Sequence, residues 1–247
     1  MTKYALLIGI NYRGTKSELR GCINDVKAMK AHLIDKRGYA EKDIVVLTED
    51  EPDDRKPTGF NIMHELTKLI LQAHSGTASE LWLHYSGHGS YTRDINGDED
   101  DGRDETIVPL DYAKNGMIVD DQLHDYLKHL PKGCRMYCIF DCCHSGTILD
   151  LKYQYKGNSQ NGVENANSTL PGDIVMISGC MDTETSADAR IKGKWRGAMT
   201  TAYIDSIQPD ISQDELLDKM RNYLKSHGYS QYPQLGGSQP ITEHQKW

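Results

Sequence analysis

No apolar run in the 247 residues is long enough to cross a membrane. The run from Tyr4 to Ile10 falls well short of the roughly 20 residues a spanning helix needs, and no small-residue cleavage site follows it. Neither a secretory signal nor a membrane anchor is expected, and a cytoplasmic protein is the default. Widely spaced cysteine is also missing. Of six cysteines, four crowd together at Cys134, Cys138, Cys142 and Cys143, which is not a secreted disulfide framework. Reduced thiols are expected, one of them a candidate for reactivity. Positive charge is scarce: 28 Lys plus Arg stand against 36 Asp plus Glu, a net charge of −8. That balance argues against a nucleic-acid partner or an anionic membrane surface. There is no internal repeat.

The negative charge is unevenly placed. Asp94, Asp98, Glu99, Asp100, Asp101, Asp104 and Glu105 share one short stretch with a single base, Arg103, so most of the net charge lies there. Residues 92–104 read as a polar, glycine-containing loop.

A hydrophobic content of 38% suffices for a real core. Tyr4 to Ile10, Asp43 to Thr48, Glu80 to Tyr85, Arg135 to Phe140 and Asp173 to Ser178 read as strands buried on both faces, and hence as parallel neighbours. Between them, Asn24 to Lys36, Thr58 to Ala73 and Asp120 to Leu130 carry apolar residues at helical spacing, with Asn24, Thr58 and Asp120 as N-caps. Strand and helix alternating in this way predict an α/β sandwich around a central, mostly parallel sheet. The stretch 151–171 is rich in Asn, Gly, Ser and Gln and reads as a flexible linker between a region 1–150 and a region 172–247. Helical patterns follow near Gly197 to Ile207 and from Gln213 to Ser226, before a Pro-containing tail.

Functional groups of parallel α/β sheets gather at the carboxyl ends of strands. Here one strand runs into Ser86-Gly87-His88-Gly89 and another into Asp141-Cys142-Cys143-His144-Ser145-Gly146. A histidine and a cysteine, each near a glycine at the mouth of a sheet, suit thiol nucleophilic catalysis. The imidazole takes the thiol proton, and the glycine lets a backbone N–H approach a developing oxyanion. Cys138, inside an apolar strand, reads as a small buried hydrophobe.

The segments around His88 and Cys143 resemble the two catalytic motifs of the metacaspases, caspase-like cysteine peptidases. Further likeness lies in Gly21 to Val26, in Val175 to Cys180, in Thr185 to Ala189, in Gly197 to Thr200 and in Tyr232 to Leu235, so it covers nearly the whole chain. The short linker is similar to that of the type I group, although no Pro/Gln-rich stretch stands ahead of the first strand. The resemblance implies a caspase-like three-layer sandwich in which 1–150 is large-subunit-like and 172–247 small-subunit-like, together one domain. It selects Cys143, directly before His-Ser-Gly, as nucleophile and His88 as base. The oxyanion would be held by the backbone N–H groups of Gly89 and Cys143. No third, orienting carboxylate is evident.

The resemblance also implies an S1 pocket of Cys22, Asp25, Ser86 and Asp141, whose carboxylates would select Arg or Lys before the cleaved bond. The plainer alternatives are a carboxylate at a helix N-terminus for Asp25 and a structural hydrogen bond for Asp141. It implies an activating Ca²⁺ held by Asp104, Asp120, Asp121 and Asp150, against plain helix capping for Asp120 and Asp121 and a solvated charge for Asp150. Asp94, Asn96, Asp98 and Glu105 also fall at EF-hand spacing, but Glu99 occupies the glycine position and the flanks read as strands, so an EF-hand is rejected. Lys152 and Lys156 in the linker are candidate autocleavage points. The expected partners are protein or peptide substrates with a basic residue before the cut, and the resemblance implies a monomer. Two other readings compete, a catalytically silent caspase-homology scaffold and a zinc module of Cys138, Cys142, Cys143 and His144. Adjacent ligands at a buried strand end converge poorly on one tetrahedral ion.

Overall fold

The computed structural model describes residues 2–247 apart from Thr77, 94–101, His144, Ser145, Asn158, Ser159, 180–187, Lys192, Glu243 and His244. Five acids of the charged stretch (Asp94, Asp98, Glu99, Asp100 and Asp101), together with Asn96, therefore lie outside the described residues. So do His144 and Ser145 of the cysteine motif, Cys180, and Thr185 to Ala187.

The chain opens with β1 (Thr2–Gly9), α1 (Cys22–Arg37), β2 (Ile44–Thr48), α2 (Gly59–His74) and β3 (Ala78–Ser86). A small antiparallel sheet interrupts this alternation: β4 (Gly89–Arg93), β5 (Arg103–Ile107), the short α3 (Tyr112–Asn115) and β6 (Ile118–Val119), followed by α4 (Asp120–Leu127). Next come β7 (Arg135–Asp141), β8 (Tyr153–Gly157), β9 (Gln160–Val163), β10 (Asp173–Ser178), β11 (Asp188–Ile191), β12 (Lys194–Gly197), α5 (Ala198–Ser206), α6 (Gln213–Ser226) and β13 (Gln234–Gly237).

Alternate residues of β1 serve two different cores. Leu6 and Ile8 join Leu83, Cys138 and Phe140 beneath α2 and α4, which supply Ile62, Leu66, Leu123 and Leu127. Ala5 and Leu7 join Trp82, Tyr137 and Ile139 beneath α1, α5 and α6, which supply Met29, Leu33, Met199 and Leu217. Side chains alternate across a strand, so a sheet covered on both faces needs strands apolar at every position. This is why these runs carry no polar alternation. The result is a three-layer α/β sandwich.

The main sheet has the order β2-β1-β3-β7-β10-β13-β8-β9. Its first five strands are parallel, as expected from their composition, and the last three pair antiparallel. The antiparallel part departs from the sequence reading. The stretch read as a flexible linker holds the β8–β9 hairpin, and the tail supplies β13. An edge hairpin draws its order from backbone pairing, so it shows no apolar period.

Helix starts also differ in detail. Thr58 caps α2 as expected, its hydroxyl accepting from Asn61 N at 3.2 Å. Helix α1 begins earlier than Asn24, with Gly21 as N-cap, and the Asn24 amide instead donates to Trp195 O at 2.8 Å. Asp120 is the first residue of α4 rather than its cap, which is Val119.

Candidate active site

β3 and β7 are parallel neighbours in register, Ser86 opposite Asp141, and Gly87 N extends the pairing to Asp141 O at 3.4 Å. Continuing both chains one step brings the His88 and Cys143 segments side by side beyond the sheet. There Gly89 is pressed against the Cys143 backbone, and a Cβ on residue 89 would stand 1.8 Å from Cys143 O. No side chain fits in that gap.

The imidazole of His88 is half-buried and held from several sides. Its Nε2 lies 2.7 Å from the carbonyl oxygen of Ser17. A carbonyl only accepts, so Nε2 carries a proton, and in the neutral ring the lone pair is therefore on Nδ1. Ser17 O thus fills the orienting place for which no carboxylate was evident. The Tyr12 ring packs 4.7 Å from the imidazole, centroid to centroid.

Two buried phenols fix the backbone at the same point. Tyr12 OH accepts from His88 N at 3.0 Å and donates to Val108 O at 2.6 Å. Tyr85 OH donates to His88 O at 2.7 Å and accepts from Val108 N at 3.2 Å. Burial raises both hydroxyls well above the ordinary tyrosine value, so they stay protonated donors. Tyr12 also adopts a positive φ of 51°, unusual for an aromatic side chain and held here by those bonds. Tyr12, Tyr85 and Ser17 were not singled out in the sequence, because the tie depends on three separate loops.

The two adjacent cysteines sit differently. Cys142 is fully buried in the core beneath α2 and α4, in line with Cys138 and Phe140, whereas Cys143 meets the Gly89 segment. None of the five described cysteines is in a disulfide. Burial raises the Cys138 thiol above its usual range, as fits an inert core residue.

Cys22, Asp25, Ser86 and Asp141 are all buried. The Ser86 hydroxyl donates to Asp25 Oδ2 at 2.8 Å. Gly197 N lies 2.9 Å from both Asp25 oxygens, and Thr200 N donates to Asp141 Oδ2 at 2.8 Å. A Cβ on Gly197 would stand 2.6 Å from Asp25 Oδ2 and 2.2 Å from Asp141 Oδ2. The two carboxylates therefore converge on the N-terminus of α5, where backbone N–H groups and the helix dipole favour negative charge. Gly197 and Thr200 belong to a segment already noted for its likeness, but only the fold reveals their role.

The four aspartates considered for calcium are placed less tightly. Asp104, Asp120 and Asp150 are buried and Asp121 is half-exposed. Asp120 Oδ2 accepts from Glu105 N at 2.6 Å, and Oδ1 from Asp121 N at 2.8 Å. Burial first, and the adjacent Glu105 carboxylate besides, push Asp120 up to about 8. Thr147 Oγ1 donates to Glu105 Oε2 at 2.6 Å, and Asp150 N to Thr147 O at 2.6 Å, with Asp150 at a positive φ of 46°. Segment 147–150 is thereby tied to β5 and α4. Among the described residues, no three His, Cys, Asp or Glu side chains gather closely enough to hold a metal. The oxygen donors suit a hard cation, and two adjacent buried carboxyl groups, Asp120 and Glu105, are a pair whose repulsion a cation would relieve. Glu105 belongs to this group, although its sequence position suggests only the acidic cluster and the rejected EF-hand spacing.

Lys152 directly precedes β8, and its ammonium stands 5.9 Å from the Tyr153 ring centroid. Lys156 lies within β8, and its side chain is outside the described residues. No described helix is long and apolar enough to cross a membrane.

Comparison with known proteins bears on the family and the fold. Residues 3–152 match the family model "Metacaspase, peptidase C14 domain". Metacaspase-1 of Yarrowia lipolytica is 40% identical over 96% of this chain and 62% of its own length. Metacaspase-1 of Debaryomyces hansenii is 39% identical over 96% and 65%. The chain thus spans somewhat less than two thirds of these relatives. A crystal structure from Geobacter sulfurreducens superposes with a TM-score of 0.67 at 23% identity, covering 96% of this chain and 94% of that one. Caspase-1 of Spodoptera frugiperda superposes at 0.52 and 11% identity, covering 99% and 90%. The fold is caspase-like, and the chain belongs to the metacaspase family.

Proposed function

We propose that this chain is a cysteine endopeptidase that cuts polypeptides after Arg or Lys. The observation that carries the reading is the backbone contact of Gly89 with Cys143 beside an imidazole whose tautomer Ser17 O fixes. His88 Nδ1 takes the proton of the Cys143 thiol, and the thiolate attacks the scissile carbonyl carbon. The N–H groups of Gly89 and Cys143 steady the oxyanion. His88 then protonates the departing amine, leaving a thioester on Cys143. Water, giving a proton to His88, hydrolyses the thioester and frees the thiol.

Asp25 and Asp141 supply the selectivity. Two buried carboxylates near the nucleophile favour a cationic side chain and repel an anionic one. Their bonds to Gly197 N and Thr200 N also support the structural alternative, so the roles coexist. Asp104, Asp120, Asp121 and Asp150, with Glu105 adjacent, would hold an activating Ca²⁺ only after drawing closer together than they stand here. When bound, the ion supplies charge compensation that orders these loops. Autocleavage after Lys152 or Lys156, a monomeric state and a cytoplasmic location complete the reading.

The test is a peptide series varying the residue before the cut, with and without Ca²⁺, on the wild type and Cys143→Ala. Turnover of Arg and Lys peptides, raised by Ca²⁺ and absent in Cys143→Ala, is expected. Faster cleavage after Asp would overturn the pocket, and Ca²⁺-independent turnover and melting would overturn the ion site. N-terminal sequencing after Ca²⁺ addition locates any self-cleavage. No turnover of any peptide would favour the silent scaffold, against which stand both dyad residues.

A further inference from the structure

One loop clasps His88 from two sides. Residues 10–21 join β1 to α1, and within them Tyr12 OH accepts from His88 N while Ser17 O receives His88 Nε2. Residues 13–18 are nevertheless all exposed, so burial does not hold that stretch in place.

What holds it is polar. β1 and β2 run parallel with Gly9 opposite Thr48, so the next step beyond β2 sets Glu49 beside the start of the loop. Its two carboxylate oxygens take one backbone N–H each, Oε2 from Asn11 at 2.5 Å and Oε1 from Arg13 at 2.9 Å. These are the amides on either side of Tyr12, whose positive φ is unfavourable for an aromatic residue. An ionised carboxylate offers acceptors only, so one group satisfies both donors and fixes the spacing between them. The rest of the loop is built on that start. Leu19 N donates to Asn11 O at 2.7 Å, Thr15 N to Tyr12 O at 3.1 Å and Gly14 N to Glu18 Oε2 at 2.8 Å, which closes the turn that carries Ser17.

We propose that Glu49 is a positioning residue for His88. By fixing the amides that flank Tyr12, it sets both the phenol that bonds His88 N and the carbonyl that keeps a proton on Nε2. Without its carboxylate, Tyr12 relaxes from positive φ and Ser17 O withdraws from the ring. The proton of the neutral imidazole then divides between the two nitrogens, and Nδ1 holds the lone pair in only part of the molecules. The plainer alternative is a carboxylate that stabilises an exposed loop and nothing more; its loss would lower the melting temperature and leave His88 unchanged. The tautomer of His88 can be read without any substrate, whereas the effect on turnover rests on the proposed peptidase reaction.

Nitrogen-15 NMR of the histidine-labelled full chain tests it, with the His88 signals assigned by their loss in His88→Gln. Glu49→Ala removes both acceptors, and the isosteric Glu49→Gln turns an NH2 toward one of the two amides and serves if Glu49→Ala does not fold. Asp50→Asn breaks the neighbouring ion pair with Arg13 but leaves both Glu49 bonds, and is the control. The neutral His88 ring should carry its proton on Nε2 in the wild type and in Asp50→Asn, and show a mixture of tautomers in both Glu49 variants. On Arg peptides, kcat should fall about tenfold in Glu49→Ala and less in Glu49→Gln, with KM changed by no more than about twofold. A proton that stays on Nε2 in folded Glu49→Gln overturns the proposal, as does a lowered melting temperature with unchanged kcat. An equal effect of Asp50→Asn would assign the change to the charge of the loop and overturns it as well. No turnover by the wild type would overturn the peptidase reading instead, and the tautomer comparison would still decide the role of Glu49.

Discussion

The carbonyl oxygen of Cys143 lies against Gly89 so closely that a Cβ there would stand 1.8 Å away. This contact joins two motifs far apart in the chain, and both partners are backbone, so no side chain can turn aside to relieve a clash. Gly89→Ala must therefore separate β4 from the Cys143 segment. A fall in kcat/KM of about a hundredfold or more is expected, since small displacements of reacting groups have effects of that size. Wild-type kcat/KM in Gly89→Ala would show that the contact is not needed.

The neighbouring cysteines should separate cleanly. Cys143→Ala removes the proposed nucleophile and should abolish peptide cleavage. Cys142→Ala only empties a little of the core, so it should lower the melting temperature and leave most of the turnover. The reverse pattern would transfer the nucleophile to Cys142.

Tyr12 is a positioning residue for His88. Tyr12→Phe leaves His88 N and Val108 O without the hydroxyl they share, which costs about 1–3 kcal/mol of stability. A fall in kcat of about tenfold with little change in KM is expected, because the imidazole shifts while the substrate pocket does not. If melting temperature falls but kcat does not, the phenol has a structural role only.

His32 makes stability depend on pH. Burial, and then the Arg37 and Lys36 charges, lower it from an ordinary 6.5 to about 4, with Asp35 opposing. Between those values the folded chain binds fewer protons than the unfolded one. The contribution of the neutral imidazole is therefore complete above pH 6.5 and lost as pH falls toward 4, on the order of 3 kcal/mol in all. His32→Gln should flatten the fall in melting temperature over that window. Parallel curves for wild type and variant would refute the assignment.

Local composition made the central part of the fold legible. Strands apolar at every position must be covered on both faces, and helices with one apolar stripe are what covers them; β1, β3, β7 and β10 with α2 and α6 follow from that rule. The edge was not legible in this way. β8, β9 and β13 are polar or glycine-rich and are ordered by pairing with one another, a relationship between distant segments that leaves no local period. The site divides along the same line. His88 and Cys143 could be read because their chemistry and flanking glycines stand in short motifs. The Ser17 carbonyl on Nε2, the exchange of bonds by Tyr12 and Tyr85, and the part of Gly197 N and Thr200 N in holding Asp25 and Asp141 could not. Each depends on where the backbone of one loop passes another, and only tertiary packing sets that distance.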